Sequence, residues 1–357
     1  MEEILLKGPF YNNGGRCWFY PTPLPWSGDT AGNNDSVTYL YEDGNRLGPG
    51  HSAHADIRLN GAGRYSHWGD KLWFSTSDGS DPNLNGRTYV LRAERELRAK
   101  ERADYAFSIV NTWIDRIGGR GSLSGKVVCE LGPGYEMSTL AICAGLGADI
   151  YCVERFPPNY SESVHSPLFT EIASRLELDG YSKDTYRLRA AVAERSFAAA
   201  GIKMVPLFIE ELPDSLSNQF EVCFSQAVLE HLENPEKAFA AMARIMAPGG
   251  YGFHQVDFRD HHDFTNPLEF LLEADAAFEE SLTYRYSRGN RWRLHEYVAL
   301  FERSGFEVVS AQPNMFAEPA YLDTLLERLS KTGNRYSALS REQLTPTSAF
   351  MIVRRRG

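Results

Sequence analysis

No run of about 18 apolar residues occurs in the 357-residue chain, which excludes a helical membrane span. The Met1–Phe10 stretch is too short and too mixed to be the apolar core of a secretory signal, so a cytoplasmic location is expected. A basic surplus is lacking as well. The 37 Lys and Arg stand against 47 Asp and Glu, a net charge of −10, and a phosphate backbone would find no cationic footprint. Nucleic acid is therefore not an expected partner, and neutral or cationic small substrates fit better. Cysteine is scarce and never forms a CxxC pair. Of the five, Cys129, Cys152 and Cys223 lie in strand-like apolar runs and read as small buried hydrophobes in a reducing compartment. Low-complexity tracts and internal repeats are absent, and 43% hydrophobic with 24% charged residues is the composition of a folded protein long enough for two domains.

What is present changes character along the chain. Residues 1–90 are rich in aromatics and in turn pairs such as Asp43-Gly44, Asn60-Gly61, Asp78-Gly79 and Asn85-Gly86, set between short runs like Ser36–Leu40 and Lys71–Ser75. This punctuation predicts a small antiparallel β domain. Phe107, Val110, Ile114 and Ile117 then recur at helical spacing, which predicts a connecting helix over 91–120. From 121 to 357 strands and helices alternate, the pattern of parallel βαβ units. The strands expected are Val127–Leu131, Asp149–Val153, Val205–Glu210, Val222–Ser225 and Gly252–Asp257. Phe306–Ala311 and Phe350–Arg354 should pair antiparallel at the edge, and Arg291–Ser304 should be helical. The fold class implied is α/β, a doubly wound, mostly parallel seven-stranded sheet.

The first of these strands runs through Glu130-Leu131 into Gly132-Pro133-Gly134-Tyr135-Glu136, and a helix follows from Ser138. Glycines let the backbone approach a ligand closely, and the helix start turns amide donors into the same space. A dinucleotide would bring an anionic pyrophosphate against Glu130 and Glu136, whereas S-adenosylmethionine carries a sulfonium and an ammonium and no phosphate. The third glycine of a dinucleotide loop is also missing, since Met137 holds its place. About 20 residues on, Glu154 ends the second strand, where an acid can accept from ribose hydroxyls. Glu210 and Glu211 follow the third strand, near the expected adenine edge.

The segment Phe220–Leu232, with Val228-Leu229-Glu230-His231 at its heart, then Asn234-Pro235 and Arg244–Gly250, resembles the fourth and fifth motifs of class I S-adenosylmethionine-dependent methyltransferases. With the Glu130–Gly134 loop and Glu154, the likeness spans about residues 105–260. The resemblance implies that Glu130, Gly132 and Gly134 line the methionine side of the cofactor and that Glu154 holds the ribose. It also implies that Glu210 or Glu211 lies near adenine and that Ser225 with Gln226 closes the methyl-transfer pocket. Ser225-Gln226 replaces the Asp/Asn-Pro-Pro-Tyr pattern of many amino-methylating relatives, which disfavours exocyclic amines of nucleic acid. His254–His261, Asn266–Leu271 and Asn290–Arg293, together with several N-terminal stretches, look like bacterial methyltransferases of surface-polysaccharide and secondary-metabolite pathways.

The carboxyl ends of strands face ligand in a doubly wound sheet, which puts Asp257, Arg259, Asp260, His261 and His262 near the transferable methyl. An alcohol must lose its proton as it attacks, and a histidine can take it. His261 with Asp257 and Asp260 is the expected catalytic group, and His254 the alternative. The competing view is that these residues are helix caps and solvated turns. Asp257, Asp260 and His261 could also hold a divalent cation that acidifies a sugar diol, although the sequence alone assigns no metal ligand. His231 reads equally well as pocket wall or helix start. Tyr65, Trp68, Trp73 and Phe74 could offer flat faces to sugar rings, with a domain core as the alternative for at least half of them. His51 and His54 sit in a Gly-rich context that argues against a metal pair, and Arg354–Arg356 reads as a solvated strand end.

The function expected is an O-methyltransferase acting on a hydroxyl of a sugar, glycan or glycosylated metabolite, with the N-terminal domain and an insert at 258–300 shaping the acceptor site. The alternatives are methylation of a non-sugar metabolite on oxygen or nitrogen, a nicotinamide-dependent oxidoreductase, and a non-catalytic glycan-binding scaffold. The expected partner is a small-molecule or saccharide acceptor, with homo-oligomerisation left open.

Overall fold

The computed structural model describes residues 2–22, 24, 28–30, 36–93, 95–282 and 288–357. The chain divides into two compact units: Met1–Ala106 with Tyr160–Arg175, and Phe107–Asn159 with Leu176–Gly357.

In the first unit, Glu2–Leu6, Tyr89–Ala93, Thr38–Glu42 and Asn45–Arg46 pair in that order as one antiparallel sheet. Tyr11–Asn12, Trp18–Tyr20, Lys71–Phe74 and Tyr65–Trp68 form a second. The expected β-rich region is therefore present. Tyr65 and Phe74 belong to its apolar core with Leu40, Leu72, Tyr89 and Leu91, whereas Trp68 stays exposed and Trp73 stacks on His54 at 4.6 Å between ring centres. His51 turns instead to the buried Asp29, 2.6 Å away, so His51 and His54 have different partners.

The second unit is built on a seven-stranded sheet. Its strands are β1 (Val127–Leu131), β2 (Asp149–Val153), β3 (Ile202–Val205), β4 (Phe220–Gln226), β5 (Met246–Asp257), β6 (Phe306–Phe316) and β7 (Pro346–Arg355). Their order is β3-β2-β1-β4-β5-β7-β6, parallel except for β7, which runs against both of its neighbours. Chain order reverses between β1 and β4, the switch point where a crevice opens at the carboxyl ends of the strands. Helices α1 (Ser138–Gly145), α2 (Tyr186–Glu194), α3 (Pro235–Ile245) and α4 (Leu294–Arg303) connect the strands. On α3, Ala238, Phe239, Met242 and Ile245 recur at helical spacing and are fully buried in a core shared with Phe301 of α4 and Val256 of β5. Asn234 caps α3 by accepting the Lys237 amide at 3.0 Å, and Pro235 occupies the first turn, where no amide is required. This fixes where the chain leaves the crevice after β4.

The third strand differs most from the sequence-based expectation. The third strand ends at Val205 because Pro206 has no amide to donate, and Ile209–Glu211 forms a 3-10 turn instead of strand. Residues beyond β5 form a separate small core in which Leu268, Phe270, Leu271 and Phe278 pack with Leu322, Leu325 and Leu329 of α5 (Pro319–Leu329). Within the expected 258–300 insert, residues 283–287 lie outside the described ones. No described helix is long and apolar enough to cross a membrane. All five cysteines are free and buried, in line with a packing role.

Candidate active site

The loop after β1 is shaped by contact across the switch point. Gly132 has φ +61°, and a Cβ there would lie 2.7 Å from Cγ2 of Val228, in the segment leaving β4. Gly134, at φ +69°, has nothing within 4 Å of its Cβ position, so the loop backbone lies open there to a ligand. A cavity of about 640 Å³ opens beside this loop, within the usual range for a small-molecule site. Gly132, Glu154, Glu210 and Glu211 all contribute to its wall, and His231 and Lys237 join them. Glu154 accepts the Phe156 amide at 2.9 Å, which holds its carboxylate at the end of β2. The wall carries the acids Glu154, Glu210, Glu211 and Glu233 against the cations Arg155 and Lys237, an acidic balance suited to a sulfonium. A larger depression of about 740 Å³, bounded by Ser217, Glu236, Arg244 and Arg303, lies at the amino ends of the strands and away from this crevice.

Glu130 does not contribute charge in the way its sequence position suggests. Its side chain is 2% exposed and accepts the Thr139 hydroxyl at 2.5 Å, and burial pushes its pKa up to about 8. The crevice is acidic because of Glu154, Glu210, Glu211 and Glu233, while Glu130 is a buried, largely protonated acid under the first turn of α1. Ser225 is buried too, bonded to Nδ1 of His254 at 2.8 Å, and Gln226 is half-buried at the end of β4. Neither contributes to the cavity wall.

The expected catalytic residues separate into two groups. His254 is fully buried within the sheet and stacked on Phe301, and burial lowers its pKa to about 3. In that position it can meet no acceptor. Asp260 is 3% exposed and its carboxylate is committed to Arg288, 2.8 Å from Nε, so it braces the insert and is not available beside His261. Asp257 and His261 do come together, Nε2 of His261 standing 3.7 Å from Oδ2 of Asp257, while Arg259 holds the same carboxylate through a two-pronged contact. The cation ligands anticipated from sequence, Asp257, Asp260 and His261, are therefore not assembled as a set.

The sequence reading passed over Glu230. It is 1% exposed, its Oε1 accepts the Asp257 amide at 3.3 Å, and burial pushes its pKa up to about 8. His231 beside it places its ring 4.9 Å from that of His261, edge to face. Burial, then the neighbouring His261, lowers the His231 pKa to about 4, and burial also lowers that of His261. The usable signal was the position of Glu230-His231 directly after β4, facing the residues directly after β5.

Residues 99–311 match the family described as a methyltransferase domain, which covers more than half of the chain and contains the glycine loop, the cavity wall and both histidines. The chain belongs to that family. It is a class I S-adenosylmethionine-dependent methyltransferase, and the nicotinamide and non-catalytic readings fall away. No curated protein matches the methyltransferase. Among solved structures it is similar to an S-adenosylmethionine-dependent methyltransferase from Mesorhizobium loti, at 14% identity and TM-score 0.36, over 65% of this chain and 92% of that one. It is also similar to phosphoethanolamine N-methyltransferase 2 of Haemonchus contortus, in complex with phosphomonomethylethanolamine and S-adenosylhomocysteine, at 11% identity and TM-score 0.39, over 98% of this chain and 71% of that one. The assignment rests on the family match and not on these distant likenesses. The residues of this methyltransferase fit the cofactor: the open backbone at Gly134, the Glu154 carboxylate at the cavity wall and the acidic lining suit its ribose and its cationic centre.

Proposed function

We propose that this methyltransferase acts on a hydroxyl of a sugar, glycan or glycosylated metabolite. The observation that carries the reading is the acid–imidazole group of Glu230, His231, Asp257 and His261, which stands where β4 and β5 end and where His231 meets the cofactor cavity. When bound, S-adenosylmethionine supplies an electrophilic methyl on a sulfonium. The chain has to hold the acceptor in line and relieve its hydroxyl of a proton. His261 is neutral at physiological pH because burial lowers its pKa, so a ring nitrogen is free of a proton and able to accept one. Asp257, fixed by Arg259, steadies the charge that His261 gains. Glu154 would hold the ribose, and the loop from Gly132 to Gly134 would receive the methionine end.

The sugar class is supported by the resemblance of 254–261, 266–271 and 290–293 to polysaccharide-pathway enzymes. The deciding experiment incubates the protein with S-adenosylmethionine and panels of nucleotide sugars, glycans and glycosylated metabolites, and follows mass. Gain of one methylene mass on a saccharide oxygen is the expected result. Methylation restricted to amines or to non-sugar hydroxyls would overturn the acceptor class while leaving the family unaffected.

A further inference from the structure

Glu230, His231 and His261 form a group beyond what proton transfer by one histidine requires. One carboxylate oxygen and one nitrogen from each ring lie within 4.8 Å of one another. Oε2 of the buried Glu230 has no hydrogen-bond partner, and neither does the buried Nε2 of His261. Leaving two such atoms unsatisfied costs on the order of 1–3 kcal/mol each, so the site calls for something that both can bind.

The surrounding chain builds the group deliberately. The amide of Asn290 donates to the Glu230 carbonyl at 2.5 Å, and the side-chain amide of Asn290 reaches the Leu229 carbonyl at 3.1 Å. Two residues earlier, the Arg288 carbonyl accepts the His261 amide at 3.2 Å, and its guanidinium grips Asp260. The buried Tyr297 hydroxyl donates to Leu229 from the other side. One short stretch thus clamps the segment after β4 to the segment after β5 and sets their side chains face to face.

We infer that Glu230, His231 and His261 bind one divalent transition-metal cation beside the cofactor cavity. Two imidazoles with one carboxylate are the mixed nitrogen and oxygen donors that suit zinc, iron, cobalt or nickel, while magnesium, calcium and manganese favour oxygen shells. Ligand atoms around such an ion stand roughly 3.4 Å apart, and a small rotation of the His231 ring would close the remaining gap. Neutral imidazoles and a carboxylate are the forms in which these side chains ligate, and the charge of a dication would offset that of a buried Glu230 carboxylate. With three protein ligands the ion keeps open positions, which would take acceptor oxygen and lower its pKa, in place of direct proton uptake by His261. That last step rests on the hydroxyl-methylation reading. Metal binding itself does not.

The test titrates Co²⁺ into the chelator-treated full-length protein, without cofactor or acceptor, and follows the visible absorption of the bound ion together with the heat of binding. One equivalent is expected, displaced by Zn²⁺ and not by Mg²⁺. His231→Ala and His261→Ala should each weaken binding by more than roughly tenfold, the least that losing even an outer partner of a metal site costs. His262→Ala, a neighbouring exposed histidine, should leave it unchanged. Thermal melts establish that the variants are folded, and Glu230→Gln adds the carboxylate where it also folds. No cobalt binding, or binding of equal strength in His231→Ala and His261→Ala, overturns the inference. Either outcome leaves the methyltransferase reading standing with His261 as base, and failure of every saccharide as acceptor would leave the metal site standing.

Discussion

Glu130→Gln is expected to flatten the pH dependence of stability in the cofactor-free enzyme. The folded protein holds the Glu130 proton up to about pH 8, against an ordinary value of 4.5, because the carboxyl is fully buried and, among the described residues, is met by the Thr139 hydroxyl. The nearby thiols of Cys143 and Cys152 are themselves kept protonated by burial and offer Glu130 no compensating charge. Between those two pH values the folded state binds a proton that the unfolded state has released. The contribution is fully present below 4.5, declines as pH rises, and is gone above about 8. At ~1.4 kcal/mol for each pH unit of that window, the whole effect is about 5 kcal/mol. Glutamine has nearly the same shape and no proton to lose. At ~2–4 °C per kcal/mol for a unit of this size, the melting temperature of the variant relative to wild type should rise by on the order of 10 °C from pH 5 to pH 8. Calorimetric melts of both proteins across that range measure it. Parallel curves would refute the placement of Glu130 as a buried, protonated acid.

Three further outcomes can be checked in the same preparation. His261→Ala should lower turnover by roughly 10² to 10⁴-fold while S-adenosylhomocysteine binds nearly as before, because its proposed part is proton uptake from the acceptor; unchanged turnover would remove it from the chemistry. Gly132→Ala forces a side chain into a left-handed conformation, at ~1–2 kcal/mol, and pushes it against Val228 2.7 Å away. Titration calorimetry should show weaker S-adenosylhomocysteine binding, and an unaltered affinity would mean that the loop can yield. Asp260→Ala leaves the buried Arg288 short of one partner, which should destabilise the protein by about 3–5 kcal/mol and expose residues 258–293 to limited proteolysis. Protease resistance equal to wild type would show that Arg288 holds the insert without Asp260.

Periodicity made most of the fold legible. Six of the seven sheet strands lie where apolar runs between turn signals place them, and the antiparallel pairing of the last two was readable from their position after the parallel series. The third strand was set too late because Met204–Ile209 is one apolar run, and only Pro206 marks where backbone pairing stops. The cofactor crevice was legible because its parts follow strand ends in fixed order. The acceptor side was less so: a row of acids and histidines after a strand does not reveal which way each points. Asp260 turned to an arginine 28 residues away, His254 turned into the core, and Glu230 looked like motif background until its unsatisfied oxygen was seen beside His261. Such outcomes depend on contacts across long stretches of chain, which spacing alone does not encode.

The antiparallel β7 lies between β5 and β6 although it follows both in the chain. During synthesis, β1 to β5 can therefore assemble the cofactor half while β6 still has no strand to pair with. Arg293 donates to the carbonyls of Phe258 and Pro346 at 2.6 Å each, so the acceptor segment is fastened to the start of β7 itself. A nascent chain could thus shape its crevice after β1 well before residues 346–355 emerge, but the segment after β5 would be secured only after they do.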